Sequence, residues 1–157
     1  MTEMRLESVR SVTQGNETLR FRLITHITAV QTHDVGDVEG HVASLARFSG
    51  VALFPDGTIG TVYFVTITDY TKGAGAFTLY PILTFNDGAV LWLKSIGTGA
   101  VDGTRTHFVG TVVVVGGTGR FEGAKGAGTL TGTRYTPLSV GADLVSDYTI
   151  NMEEMVT

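Results

Sequence analysis

Three side chains in this sequence could act as acid, base or electrophile near neutral pH: Tyr148, His107 and Lys125. Tyr148 lies in Leu144-Val145-Ser146-Asp147-Tyr148-Thr149-Ile150 and shares parity with Leu144, Ser146, Ile150 and Met152, opposite Asp143, Asp147, Asn151 and Glu153. In an extended chain that parity turns its ring inward, with the hydroxyl available to orient a ligand carbonyl or hydroxyl; a core tyrosine is the plain alternative. His107 opens a β-branched run and would sit at a strand end. There it could serve as general acid or base, or be an ordinary exposed histidine. Lys125 follows a glycine-rich corner in an apolar neighbourhood. Pointed inward, its ammonium would lose hydration, its pKa would fall and it could polarise a carbonyl; otherwise it is a solvated turn lysine. Tyr63, Tyr80 and Trp92 lie mid-strand as candidate cavity-lining residues, with plain core packing as their alternative.

Other chemistries lack their residues. The four histidines, His26, His33, His41 and His107, offer no i, i+2 pair with a third ligand nearby, so no metal site is expected. His26 reads as interfacial or solvated. There is no cysteine, which excludes disulfides and thiol catalysis. No Gly-x-Ser-x-Gly elbow occurs, and the Gly-x-Gly runs separate strands without a following helix, so neither a phosphate cradle nor a cofactor is expected. Arg120 and Glu122 share strand parity and could pair at the corner.

The elements that must position these residues are strands. His107 to Val115 is dense in Val and Thr, which stiffen χ1 and favour a pleated backbone. Gly116-Gly117-Thr118-Gly119-Arg120-Phe121-Glu122-Gly123-Ala124-Lys125-Gly126 then turns the chain, and Ala127 to Tyr135 runs back. Leu19 to Val30 alternates, placing Leu19, Phe21, Leu23 and Thr25 toward a core and Arg20, Arg22, Ile24 and His26 outward. Phe21 and Thr25 thereby join the candidate substrate-binding residues. Further strands are predicted over Val42 to Phe54, Thr58 to Tyr70, Phe77 to Phe85, Ala89 to Ile96 and Leu144 to Met152. Between them fall Pro55-Asp56-Gly57, Lys72-Gly73-Ala74-Gly75 and Asn86-Asp87-Gly88 as turns. Pro81 removes a ladder donor and belongs near an edge or bulge. Gln31 to Gly40, Gly97 to Gly103 and Pro137 to Ala142 read as loops. Residues 3–13 could be a first strand or an extended arm, before a turn at Gln14-Gly15-Asn16.

Roughly eight strands at such regular spacing make a sandwich or a closed barrel. Composition agrees: of 157 residues 43% are hydrophobic, 17% charged, 21 are Gly and three Pro. That length fits one domain, residues 1–157. The net charge of −4 excludes a nucleic-acid partner, which needs a concentrated basic surface. The N-terminus shows no apolar signal core, and no run reaches the roughly 18 apolar residues that span a bilayer, so a cytoplasmic protein with no membrane partner is expected. Val62 to Ile67 and Val109 to Val115 are apolar on both faces. A doubly apolar strand implies that the barrel exterior packs on something, most simply another copy.

The corner carries more than its physics. Val115-Gly116-Gly117-Thr118-Gly119-Arg120-Phe121-Glu122-Gly123-Ala124-Lys125-Gly126 resembles the signature of the dirigent and allene oxide cyclase superfamily. Thr18 to Leu23 and Leu144 to Ile150 resemble its first and last barrel strands. The resemblance implies an all-β, eight-stranded antiparallel calycin-like β-barrel, commonly a homotrimer, with an apolar cavity for a hydrophobic small molecule. It further implies an enzyme of the allene oxide cyclase type that directs an isomerisation or cyclisation. A lipocalin-like carrier, or oxidative conversion of an aromatic substrate, are the alternatives. The chain departs from the family at Ile24-Thr25, where a His-Asp pair is usual, at Arg120, and at Lys125, where Arg is usual.

Overall fold

The computed structural model describes residues 17–154. The expectations for residues 3–13 and for the turn at residues 14–16 lie outside the described residues. Nine strands follow in order: β1 (Glu17–Asp34), β2 (His41–Leu53), β3 (Ile59–Thr71), β4 (Ala74–Leu79), β5 (Ile82–Thr84), β6 (Val90–Asp102), β7 (Arg105–Gly117), β8 (Gly126–Arg134) and β9 (Asp143–Met152). Every pairing is antiparallel. The sheet closes on itself: β1 lies between β2 and β9, β2 pairs with β3, and the ladder runs on through β6, β7 and β8. Both β4 and β5 sit between β3 and β6, so they form one stave broken in two, and the barrel has eight staves. Among the described residues every stave has a hydrogen-bonded neighbour on each side over at least part of its length.

The break falls at Tyr80–Pro81. Pro81 has no N–H to give, and the chain steps out of the ladder there, with Tyr80 N–H bonding the Val65 carbonyl (3.1 Å) and Leu93 N–H the Pro81 carbonyl (2.9 Å). Of the expected loop at Gly97 to Gly103, all but Gly103 is instead the second half of β6, and Gly103 turns the chain into β7. Its glycines serve close approach rather than turning: a Cβ on Gly97 would lie 2.1 Å from the Val109 carbonyl oxygen, and one on Gly99 would lie 2.8 Å from the Phe108 ring. β1 likewise runs on to Asp34, past the expected loop start. Its register shifts between Ile27 and Ala29, where Ile27 exchanges backbone hydrogen bonds with Gly141 and Ala142.

The interior is built by alternation. Phe21, Leu23, Thr25 and Ile27 of β1 point inward with Val62, Phe64, Thr66, Thr68 and Tyr70 of β3, and with Leu144, Ser146, Tyr148 and Ile150 of β9. One end is plugged by aromatic rings. Ring centroids run from Tyr148 to Phe21 at 5.0 Å, Phe21 to Phe54 at 5.7 Å, Phe54 to Phe85 at 5.0 Å and Phe85 to Phe121 at 4.8 Å. Phe121 comes from a 3-10 turn, Gly119–Phe121, inside the glycine corner; Gly119 takes φ +61°, which a side chain would oppose. Arg120 does not pair with Glu122. It bonds Asp87 (2.8 Å) and lies over the Phe85 and Phe121 rings, because the 3-10 turn removes the strand parity that would have joined it to Glu122.

Candidate functional site

The β1–β2, β3–β4, β6–β7 and β8–β9 connections gather at the other end, around an open vestibule of about 570 Å³. That size suits a small organic ligand, whose pockets span about 300–1,000 Å³. Val42, Val101, Pro137 and Leu138 supply apolar wall, and Thr32, Ser44, Thr104, Thr106 and Thr136 supply hydroxyls. Arg134 is the sole charged side chain among the lining residues. It ends β8 on the inward parity of Leu130, and it is only 5% exposed. Its Nε donates to the Thr136 carbonyl (2.9 Å) and its Nη2 to Thr106 Oγ1 (3.5 Å), while the guanidinium carbon lies 5.2 Å from the Phe108 ring centroid. No carboxylate among the described residues pairs with it.

Burial lowers the Arg134 pKa, and the adjoining Tyr70 partly offsets this; starting from 12.5, the guanidinium stays charged at neutral pH. Burial pushes the Tyr70 phenol up to about 12, with Arg134 pulling the other way. Tyr70 is therefore a neutral hydroxyl beside a buried cation.

Tyr70, Arg134 and Leu138 also bound a second, inner cavity of about 30 Å³, walled by Phe48, Phe64, Phe77, Phe108, Leu130 and Tyr148. One water needs about 10–15 Å³ by the same measure, so this space is water-sized. Core aromatics fill most of the volume where a ligand cavity was expected, and the vestibule at the mouth is roomier than the shallower clefts of about 390 and 340 Å³ on the outside of the plugged end. The inner cavity is nonetheless polar in places. Thr66 and Thr68 on its wall have hydroxyl oxygens without a hydrogen-bond partner. Tyr148 is 2% exposed; burial raises its phenol pKa well above the usual value, and the neighbouring Ser95 hydroxyl works in the opposite direction. It is a hydrogen-bond donor, not a base.

No protein-family model matches this sequence, and no curated protein matches it significantly. Among solved structures, the pterocarpan synthase dirigent protein GePTS1 aligns with a TM-score of 0.51 at 11% identity, covering 94% of this chain and 91% of that one. The chain has the dirigent barrel fold. A second pterocarpan synthase dirigent protein, PsPTS1, aligns at 14% identity with a TM-score of 0.49, covering 92% of this chain and 100% of that one.

On this barrel the residues singled out from sequence are scattered. Tyr148 lines the inner cavity, and Phe21 stacks behind it. Thr25 is buried with its hydroxyl bonded to the Leu144 carbonyl (3.3 Å). His107 stands near the mouth end but on the outer face, 3.3 Å from Thr133 Oγ1 and 3.8 Å from Asp102. Lys125 is exposed beside the plugged end, where its carbonyl accepts from Glu153 N–H. The structure does not bring His107, Lys125 and Tyr148 together. Tyr63, Tyr80 and Trp92, at 39%, 40% and 41% exposure, stand outside the barrel and line neither the vestibule nor the inner cavity. Tyr80 falls at the break between β4 and β5, and β3, which carries Tyr63, is apolar on both faces, so hydropathy could not tell inside from outside.

Sequence reading missed Arg134, Tyr70, Thr66, Thr68 and Thr106. The signal was parity: Tyr70 continues the inward set Val62-Phe64-Thr66-Thr68, and Arg134 sits four residues beyond Leu130. It also missed a cluster at the vestibule rim. His41, flanked by the lining residues Gly40 and Val42, donates from Nδ1 to Asp37 (2.7 Å) and from Nε2 to Asp69 (2.6 Å). Both carboxylates raise its pKa, Asp37 foremost.

Proposed function

We propose that this protein is a small-molecule enzyme that takes a hydrophobic substrate through the barrel mouth and directs its isomerisation or cyclisation. The observation that carries this reading is the open vestibule of about 570 Å³ leading onto a hydroxyl-bearing inner cavity. Apolar walls orient the substrate, and Tyr70 and Tyr148, both held protonated, donate hydrogen bonds to oxygens on which charge develops. No strong nucleophile is needed for such a rearrangement, since conformation and a few donors select among products. GePTS1, which shares the fold, is a pterocarpan synthase dirigent protein, and that supports secondary-metabolite chemistry of this broad kind. A carrier function is the second reading, favoured by how little free volume the inner barrel has.

The barrel further assembles as a homo-oligomer, taken here as a homotrimer. Exposed Leu45, Ile67 and Ile96 lie in one cross-strand row, and Tyr63, Ile82 and Trp92 in another, whereas the β8–β9–β1 sector carries Thr129, Thr131, Arg20, Arg22 and Asp147. An apolar sector of that extent on an otherwise polar barrel fits a subunit contact.

The test is a thermal-shift screen of hydrophobic metabolites, followed by chromatography of each stabilising compound after incubation. A product of unchanged mass, lost or slowed in Tyr148→Phe, supports the enzyme. Stabilisation without conversion in either protein supports the carrier, and no stabilisation by any compound contradicts both.

A further inference from the structure

The vestibule floor holds a cation that the described protein does not neutralise. Moving a charge out of water is costly unless it is paired, and Arg134 is buried with only neutral oxygens around it, the Thr136 carbonyl and the Thr106 and Tyr70 hydroxyls. A guanidinium has five N–H donors in a planar fork, so donors remain even after those three. The side chain borders both the vestibule and the inner cavity, and no other charged residue lines either. Purely structural use of the position, filling the barrel end beside Phe108, would be served by an apolar side chain without the cost of burying charge.

We infer that Arg134 is an anchor for an oxyanion, and that the ligand is an amphipathic monocarboxylate whose head meets the guanidinium. This rests on the proposal that the mouth is the ligand site, and it names the chemical class. Charge and shape select a carboxylate. One guanidinium balances one negative charge and matches the planar carboxylate fork, whereas a phosphate monoester dianion would meet a single cation and no lysine among the lining residues. The neutral hydroxyls of Tyr70 and Thr106 flank the head, and Val42, Val101 and Leu138 face the apolar body. A ligand amine would meet the same buried cation and be repelled.

Calorimetry with a matched pair of probes decides this: hydrocinnamate, and hydrocinnamyl alcohol, which has the same body without the charge. The acid is expected to bind wild type about tenfold or more tighter than the alcohol, as one charge-assisted bidentate contact provides. In Arg134→Gln, with its fold checked by circular dichroism, the two probes should bind alike. Arg134→Lys, which keeps the charge without the fork, should retain part of the preference. The wild-type comparison stands even if Arg134→Gln does not fold. Equal binding of acid and alcohol to wild type overturns the anchor while leaving the mouth a ligand site, and so does an acid preference that survives in folded Arg134→Gln. Binding of neither probe overturns the anchor, and the metabolite screen then decides the mouth site separately. Displacement of hydrocinnamate by equimolar inorganic phosphate also overturns it, because a bare anion would then suffice.

Discussion

Tyr148 is clamped by burial and by its stack on Phe21, so removing its hydroxyl alone leaves the packing in place. Tyr148→Phe should change stability by no more than about 1 kcal/mol in denaturant titration, since the ring stays and a net hydrogen bond is worth about that much. A loss of turnover in that variant would then report on chemistry rather than folding. His41 gives a different residue-scale prediction. Its folded pKa is raised above 6.5 by Asp37 and Asp69, so its contribution to stability is full below about pH 6.5 and is lost as pH rises through the raised value. Asp37, held below 3.8 chiefly by the His41 hydrogen bond, adds stability that is lost only as pH falls through its lowered value. Thermal melts should therefore show a wild-type advantage over His41→Asn that is clear at about pH 6 and shrinks by about pH 9. An advantage independent of pH would contradict the pairing of a charged His41 with these carboxylates. Neither partnership was singled out in the sequence: Asp69 lies in β3 and meets His41 only through the β2–β3 register, which pairs Ala43 with Asp69, whereas Asp37 meets it within the connection that leads into β2.

Strands were legible where alternation was clear and obscure where glycine or a double apolar face removed it. β1 shows its inward Phe21, Leu23 and Thr25 plainly because arginines mark the other side. β6 does not: Gly97 and Gly99 look like a loop in sequence, although they lie in the ladder opposite Gly110 and Phe108. The barrel needs them small. A Cβ at Gly97 would meet the Val109 carbonyl at 2.1 Å and both the Gly110 Cα and the Phe77 ring at 2.7 Å. Gly97→Ala should cost about 3 kcal/mol, the upper part of the overpacking range, whereas the adjacent exposed Thr98→Ala should change stability by less than about 0.5 kcal/mol. Equal midpoints for the two variants would contradict a packing role for Gly97. Arg134 belongs to the same lesson. At the end of β8 its parity pointed inward, but an arginine at a strand end is more often solvated, and it is the β7–β8 register, pairing Thr106 with Arg134, that places Thr106 and Phe108 against it.

At the scale of the molecule the barrel has unlike ends and unlike sides. The glycine corner and the Phe54, Phe85 and Phe121 rings shut one end, so access is from the mouth. The β2–β3–β5–β6–β7 exterior presents Ile67, Ile96, Val109 and Val113 to solvent in the single chain. Ile96→Glu, placed within that sector, should convert a sedimenting trimer to a monomer with an unchanged circular dichroism spectrum; a wild type that sediments as a monomer would contradict the assembly. Entry of a ligand at the mouth, floored by Arg134, can be followed by amide and side-chain NMR during titration with hydrocinnamate. Shifts should concentrate at Tyr70, Thr106, Arg134 and Thr136, with the Arg134 Nε signal moving most. Shifts confined to the plugged end around Phe85 and Arg120, or to the outer face around Trp92, would contradict it.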